Sequence, residues 1–298
     1  MSVSVLIPSR REQFLIPTVI DVLAKAVGDI EVIVTLDDYD DALVAALYTA
    51  PVPMPRDSRI TLLQQPKAIG MRNAINEAAK VATGDFLMKI DAHVMMAPGF
   101  DRELASEIDP HWVVIPRRMS LDPIGWKIND DKQPIDYHFL SSPYIDPASP
   151  GMHGRWWRER QRDRAAFDFD DEMSSQGSCW FMSRAHWTDS LHGLSTAGYG
   201  DFIQEFQEVG CKTWLGGGAV KVNKRTWYAH LHKGKTYGRG YRVSKSGWAN
   251  GVKYSADFWL NNRWPDRVHD FSWLVEKFWP VPTWPEDWRT HDYSDLAR

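Results

Sequence analysis

Apolar and polar positions along the first third of the chain follow two rhythms. Ser2-Val3-Ser4-Val5-Leu6-Ile7-Pro8 is a short β-branched run, the pattern of a buried strand. A helical period follows over residues 17–27, with Pro17 in its first turn and Gly28 just past its end, where start and stop signals belong. Residues 30–36 give a second strand that runs into Asp37-Asp38, residues 60–63 a third, and residues 70–79 an Ala-rich helix halted by Gly84. A fourth strand, residues 86–90, runs into Asp91-Ala92-His93. Strands alternating with helices of this length predict an α/β fold: a mostly parallel, Rossmann-like sheet flanked by helices, with ligands at the carboxyl ends of its strands. Pro8-Ser9-Arg10, Asp37-Asp38 and Asp91-Ala92-His93 fall at those ends.

Residues two apart on a strand share a face, so Asp91 and His93 are expected to reach one ion while Ala92 points away. A carboxylate with an imidazole suits a divalent metal, Mn²⁺ first and Mg²⁺ second.

At 298 residues the chain can bury one large core, and no Gly/Ser linker divides it. It therefore reads as one domain over residues 1–254, with a first half to about residue 115 and a second from 116. Residues 255–298 form a Trp-rich extension in which Trp259, Trp264, Trp273, Trp279, Trp284 and Trp288 are interleaved with Pro265, Pro280, Pro282 and Pro285. Prolines at that density exclude one long helix there, so an arm packed through its indoles is expected. No leader-like segment opens the sequence, and no run approaches the ~20 apolar residues of a membrane helix. Cys179 and Cys211 are the two cysteines, which suggests free thiols in a reducing cytoplasm.

The motifs in order resemble those of a family-2-type glycosyltransferase of the GT-A fold. The matches are Pro8-Ser9 after the first strand, Asp37-Asp38 after the second, Gly70-Met71-Arg72-Asn73 opening a helix, then Ala82-Thr83-Gly84-Asp85 and Asp91-Ala92-His93. The last replaces an Asp-x-Asp by Asp-x-His, which resembles the polypeptide N-acetylgalactosaminyltransferases and implies a third histidine downstream. Tyr228-Ala229-His230-Leu231-His232-Lys233 resembles the segment that supplies it, with His230 in the better register and His232 as the alternative. Gly177-Ser178-Cys179-Trp180 and Gly198-Tyr199-Gly200-Asp201 resemble the strand and helix start on the acceptor side.

The resemblance implies a UDP-sugar or similar nucleotide-sugar donor and a cation held by Asp91, His93 and His230. Asp37 or Asp38 would contact the nucleobase or ribose, Pro8 and Arg10 would line the same pocket, and Arg72 would touch the donor. Lys233 or Lys235 would face the diphosphate. A carboxylate base must take the acceptor's proton; Asp201 is the first choice and Glu205 the second. The family-2 likeness implies inversion at the anomeric carbon and the Asp-x-His likeness retention, with the balance toward inversion because Asp201 is available.

Charge bears on the acceptor. The chain carries a net charge of −4, yet residues 221–253 hold nine Lys or Arg and no Asp or Glu, among them Arg239, Arg242 and Lys245. A second basic and aromatic cluster includes Trp156, Trp157 and Arg158. Such a surplus with interleaved rings is the footprint of a nucleic-acid binder. It points to a phage-type DNA-base glycosyltransferase acting on a flipped 5-hydroxymethylpyrimidine, in a bacterial or phage-infected host cytoplasm. A glycan, peptide or small-molecule acceptor is the alternative. From other classes, a nucleotidylyltransferase would need glycines that Pro8-Ser9-Arg10-Arg11-Glu12-Gln13 lacks, and a non-catalytic binding module would have lost Asp91, His93, His230 and Asp201.

Overall fold

A computed structural model describes residues 1–144, 151–200, 202–293 and 296. The first half builds β1 (Ser2–Ser9), α1 (Leu15–Lys25), β2 (Asp29–Asp37), α2 (Asp41–Thr49), β3 (Ile60–Gln65), α3 (Met71–Val81), β4 (Phe86–Ile90), β5 (Val94–Met96), α4 (Phe100–Ala105) and β6 (Trp112–Asp122). Two short strands, β7 (Lys127–Ile128) and β8 (His138–Leu140), precede β9 (Gly154–Trp156) and α5 (Arg158–Asp163). The chain continues through β10 (Phe169–Asp171), β11 (Cys179–Ser183), α6 (Glu205–Leu215), β12 (Ala219–His230), α7 (Gly234–Tyr237), α8 (Lys245–Leu260) and α9 (Phe271–Phe278).

One sheet organises the molecule, in the order β10-β12-β6-β11-β4-β1-β2-β3. The four strands read from the apolar rhythm, β1 to β4, are parallel neighbours, and β11 lies antiparallel between β4 and β6. Alternation along each strand feeds two cores on opposite faces. Val3, Val5, Ile7, Val32, Val34, Met88 and Ile90 pack on one side, and Leu6, Ile33 and Leu87 on the other.

Local chemistry moves some boundaries. The first helix begins at Leu15, two residues before Pro17; a proline in the first turn lacks only an N–H that has no intrahelical partner there. The helix α2 is capped by Asp40, whose side chain accepts from the Leu43 N–H at 2.8 Å. At the C-terminal end α8 runs across residue 254, where the arm was expected to begin. Trp259, Trp264, Trp284 and Trp288 are buried in the same core as Leu6 and Leu87.

Candidate active site

The strand β4 stops at Ile90, and the Asp91 N–H donates to the Ser178 carbonyl at 3.0 Å. A turn follows, so Asp91 and His93 are brought together by a tight loop and not by one strand face as expected. Beyond the turn, β5 pairs with β12 and sets Val94 opposite His230, the last residue of that strand. The result is a triad. His230 Nε2 lies 3.1 Å from Asp91 Oδ2, His93 Nε2 lies 3.7 Å from the same oxygen, and one ligand atom from each residue falls within 4.8 Å of the others. His232 is not part of this group.

Around the triad stand Lys89, Glu12, Arg118 and Gln176, which the motifs did not single out, with Glu205 and Lys233, which they did. Lys89 is 1% exposed and its ammonium donates to Asp91 Oδ1 at 2.7 Å, to Glu205 Oε2 at 2.9 Å and to the Gly177 carbonyl at 2.7 Å. Glu205 Oε1 accepts from the Trp180 indole at 2.7 Å, so both oxygens of this carboxylate are engaged. Glu12 Oε2 lies 3.5 Å from His93 Nδ1, and its carboxylate also accepts from Lys233 at 2.6 and 2.7 Å. Arg118 reaches His230 Nδ1 at 3.2 Å and pairs with the Gln176 side-chain carbonyl. A guanidinium can only donate, so Nδ1 accepts and the His230 proton sits on Nε2, toward Asp91.

Electrostatics follow from this packing. Burial pushes the Asp91 carboxyl up, but the Lys89 cation and the His230 hydrogen bond hold it well below the usual range. Burial likewise raises Glu205, only partly offset by Lys89. Burial drives His230 down to about 3, which keeps its ring neutral and able to ligate.

The triad lies on the wall of a cavity of about 1040 Å³ at the carboxyl ends of β1 and β4. Of the expected donor residues, Pro8, Arg10, Asp37 and Lys233 line it, as do Glu205, Arg239 and Arg242. Arg10 stacks on Tyr241 with 5.0 Å between guanidinium and ring centre, and Arg239 lies 4.8 Å over Phe202. Asp37 is already committed, accepting from the Ile69 and Gly70 N–H groups at 2.6 and 3.2 Å. Asp38 is outside the lining and pairs with Arg11 at 3.0 Å.

Several expected site residues sit elsewhere. Arg72 is buried beneath the cavity, where it pairs with Glu208 and donates to the carbonyls of Ser195 and Ile203; it braces the fold and does not line the cavity. Trp157, just past β9 at the start of α5, packs edge-on to Phe139 at 5.8 Å within the core, whereas Trp156 is half-buried. Lys235 and Lys245 are exposed and line neither cavity. Trp156 and Arg158 border a separate cavity of about 510 Å³. Asp201 lies outside the described residues, and its neighbours Gly200 and Phe202 line the large cavity.

Lys89 was legible in principle. A lysine inside a strand that is apolar on both faces must find buried counter-charges. Glu12 and Gln176 carried no such signal, since each sits in polar sequence, and Arg118 adjoins a second arginine, Arg117, in the same strand.

Comparison with known proteins supplies the lineage. The pattern of glycosyl transferase family 2 matches residues 4–187. A structure of GalNAc-T7 with UDP, GalNAc and Mn²⁺ superposes with a TM-score of 0.66 at 16% identity, over 93% of this chain and 56% of that one. A structure of residues 1–349 of TarS from S. aureus, in complex with UDP-GlcNAc, gives 0.57 at 15% identity, over 93% of this chain and 70% of that one. At these identities the likeness is one of fold, and the chain spans little more than half of the GalNAc-T7 structure. No curated protein matches by sequence.

Proposed function

The chain belongs to glycosyl transferase family 2, and from that membership we propose that it moves a sugar from a UDP-sugar to an acceptor hydroxyl with a divalent cation held by Asp91, His93 and His230. The observation that carries this reading is the triad itself, one carboxylate and two imidazoles converging on the wall of a nucleotide-sized cavity. The donor set suits Mn²⁺, with Mg²⁺ the weaker fit. The surroundings suit it too: the buried His93 Nδ1 makes no hydrogen bond and faces the Glu12 carboxylate at 3.5 Å, within a small shift of the carboxylate contact that orients a ligating imidazole. Bound there, the cation would supply Lewis-acid stabilisation of the charge building on the departing diphosphate.

The chain's own residues do the rest. Lys89 fixes Asp91 by one oxygen and leaves the other toward the histidines. Arg239 and Arg242 bring positive charge to the cavity that a diphosphate would fill, while Arg10 pairs with Asp38 at 3.6 Å and Lys233 is neutralised by Glu12. Pro8 and Asp37 form the nucleoside end, Asp37 by holding the Ile69–Gly70 turn. Glu205 has no free oxygen, so the base role falls to Asp201, and with it inversion. Residues up to about 115 then serve the donor and residues 116–254 the acceptor, with 255–298 completing the core. Two buried free thiols support a cytoplasmic setting; among the described residues no helix is long and apolar enough to cross a membrane.

A hydroxymethylated DNA base is the less supported acceptor. The acid-free run 221–253 is acid-free in sequence alone: Lys221 pairs with Asp171, Arg225 with Glu103 and Glu107, and Lys233 with Glu12. Arg160 and Arg164 likewise pair with Asp170. Folding thus pairs three of the nine cations in that run with carboxylates, and sets two of the second cluster on one aspartate.

Donor hydrolysis tests the proposal. UDP-sugars should be cleaved slowly without acceptor, EDTA should stop the reaction and Mn²⁺ should restore it. Undiminished turnover in EDTA would overturn it.

A further inference from the structure

The second cavity, of about 510 Å³, shares Gln176, His230 and His232 with the large one, so the two meet across the ring of a triad member. Its wall comes from the end of β6, the segment before Ile135 and the start of α5. Every permanently charged side chain on it is a cation: Arg118, Lys132 and Arg158. Arg118 is taken up by Gln176 and His230, but Lys132 and Arg158 have no carboxylate partner among the described residues. Asp130, Asp131 and Glu159 adjoin them in sequence and do not line the cavity. Arg158 is held in place over the Trp156 ring, 4.3 Å from its centre, and the Trp156 indole is fixed by Gln161 at 2.8 Å. Two unpaired cations beside a fixed aromatic face, in a concavity that touches the triad, are complementary to an anion carried on a sugar-sized body.

Resting on the glycosyl-transfer reading above, we propose that this cavity is the acceptor site and that it takes a sugar or polyol bearing a phosphate or carboxylate. Lys132 and Arg158 hold the anion, Trp156 supports the body, and the reacting hydroxyl faces the shared wall at His230. In the transfer the acceptor oxygen bonds to the anomeric carbon as the bond from that carbon to the diphosphate breaks. The diphosphate leaves with the electron pair, and the hydroxyl proton passes to the carboxylate base.

The test is calorimetry on the full chain loaded with UDP and Mn²⁺, titrated with glucose 6-phosphate, glucuronate and glucose. The anionic probes should bind at least about tenfold tighter than glucose, and the tighter of the two identifies phosphate or carboxylate as the natural anion. Lys132→Gln and Arg158→Gln, both at exposed positions, should each weaken the anionic probes by about tenfold, while UDP affinity reports that the fold is intact. Equal binding of glucose, no binding of any probe to the UDP-loaded protein, or anion affinities unmoved by both substitutions would overturn the acceptor assignment. Binding of duplex DNA in place of every small anion would also overturn it, in favour of the DNA reading. Failure of UDP itself to bind would instead overturn the donor reading on which the proposal rests.

Discussion

At Lys89 a buried ammonium faces two carboxylates, Asp91 and Glu205, and all three of its protons are used. Burial alone would favour the neutral amine; the two carboxylates outweigh it and raise the group. Removing this cation strands the buried Glu205 carboxylate and the half-buried Asp91, a loss of the kind that costs about 3–5 kcal/mol. Lys89→Met should therefore lower the urea-unfolding free energy by that order, and adding Glu205→Gln should recover part of it. A double variant no more stable than the single one would show that the pair is not coupled as described. Arg118 has the opposite character. His230 would have to give up its Nε2 proton to hold a cation at that atom, and the other ring nitrogen, Nδ1, is where Arg118 donates. Arg118→Gln, which offers an acceptor and removes a like charge, should tighten Mn²⁺ binding by several-fold in a calorimetric titration; weaker binding would place Arg118 among the residues that support the ion.

Among elements, the turn between β4 and β5 does what the sequence suggested for a different reason. Asp91 and His93 were legible as a pair from their spacing at a strand end, but the strand stops short and the loop makes the contact. The sequence favoured His230 over His232 without deciding between them; the pairing of β12 with β5 brings His230 to the triad, because register against a partner strand is not written in either segment alone. Trp156 and Trp157 are chemically alike and adjacent, and only the packing of the end of β9 and the start of α5 separates the ring beneath Arg158 from the one in the core. The loop before β11 carries Gly177 at φ +78°, where an added Cβ would lie 3.2 Å from Glu205 Oε2. Gly177→Ala should cost about 1–2 kcal/mol and disturb the Lys89 cluster; unaltered stability and donor turnover would contradict that fit. In the short helix after β11, His186 is buried against Thr213, and burial with the nearby His111 lowers it to about 4. A depressed histidine favours folding above its unfolded value near 6.5 and loses that contribution as pH falls toward 4. Unfolding free energy should thus drop between pH 7 and 5, and His186→Gln should shallow the slope by at most about 1.4 kcal/mol per pH unit; an unchanged slope would show that His186 does not titrate in this window.

Across the whole molecule, the Trp-rich extension belongs to the main core. The Trp284 indole donates to the Leu140 carbonyl at 2.7 Å and packs near Phe271, Trp288 and Tyr293. Composition alone showed the indoles but not where they go, since long-range packing has no local signature. Trp284→Ala should cost about 3–5 kcal/mol by chemical denaturation, and a loss under about 1 kcal/mol would mean a loosely held arm. The same fold that buries this segment brings β1, β4 and β12 to one edge, where the triad forms. Electron paramagnetic resonance of Mn²⁺ titrated into the UDP-loaded protein tests that convergence most directly. One ion should bind per chain, and both Asp91→Asn and His230→Ala should abolish binding while UDP alone still associates. Stoichiometric Mn²⁺ retained in either variant, or no bound Mn²⁺ in the unaltered protein, would contradict the assignment of the triad as the metal site.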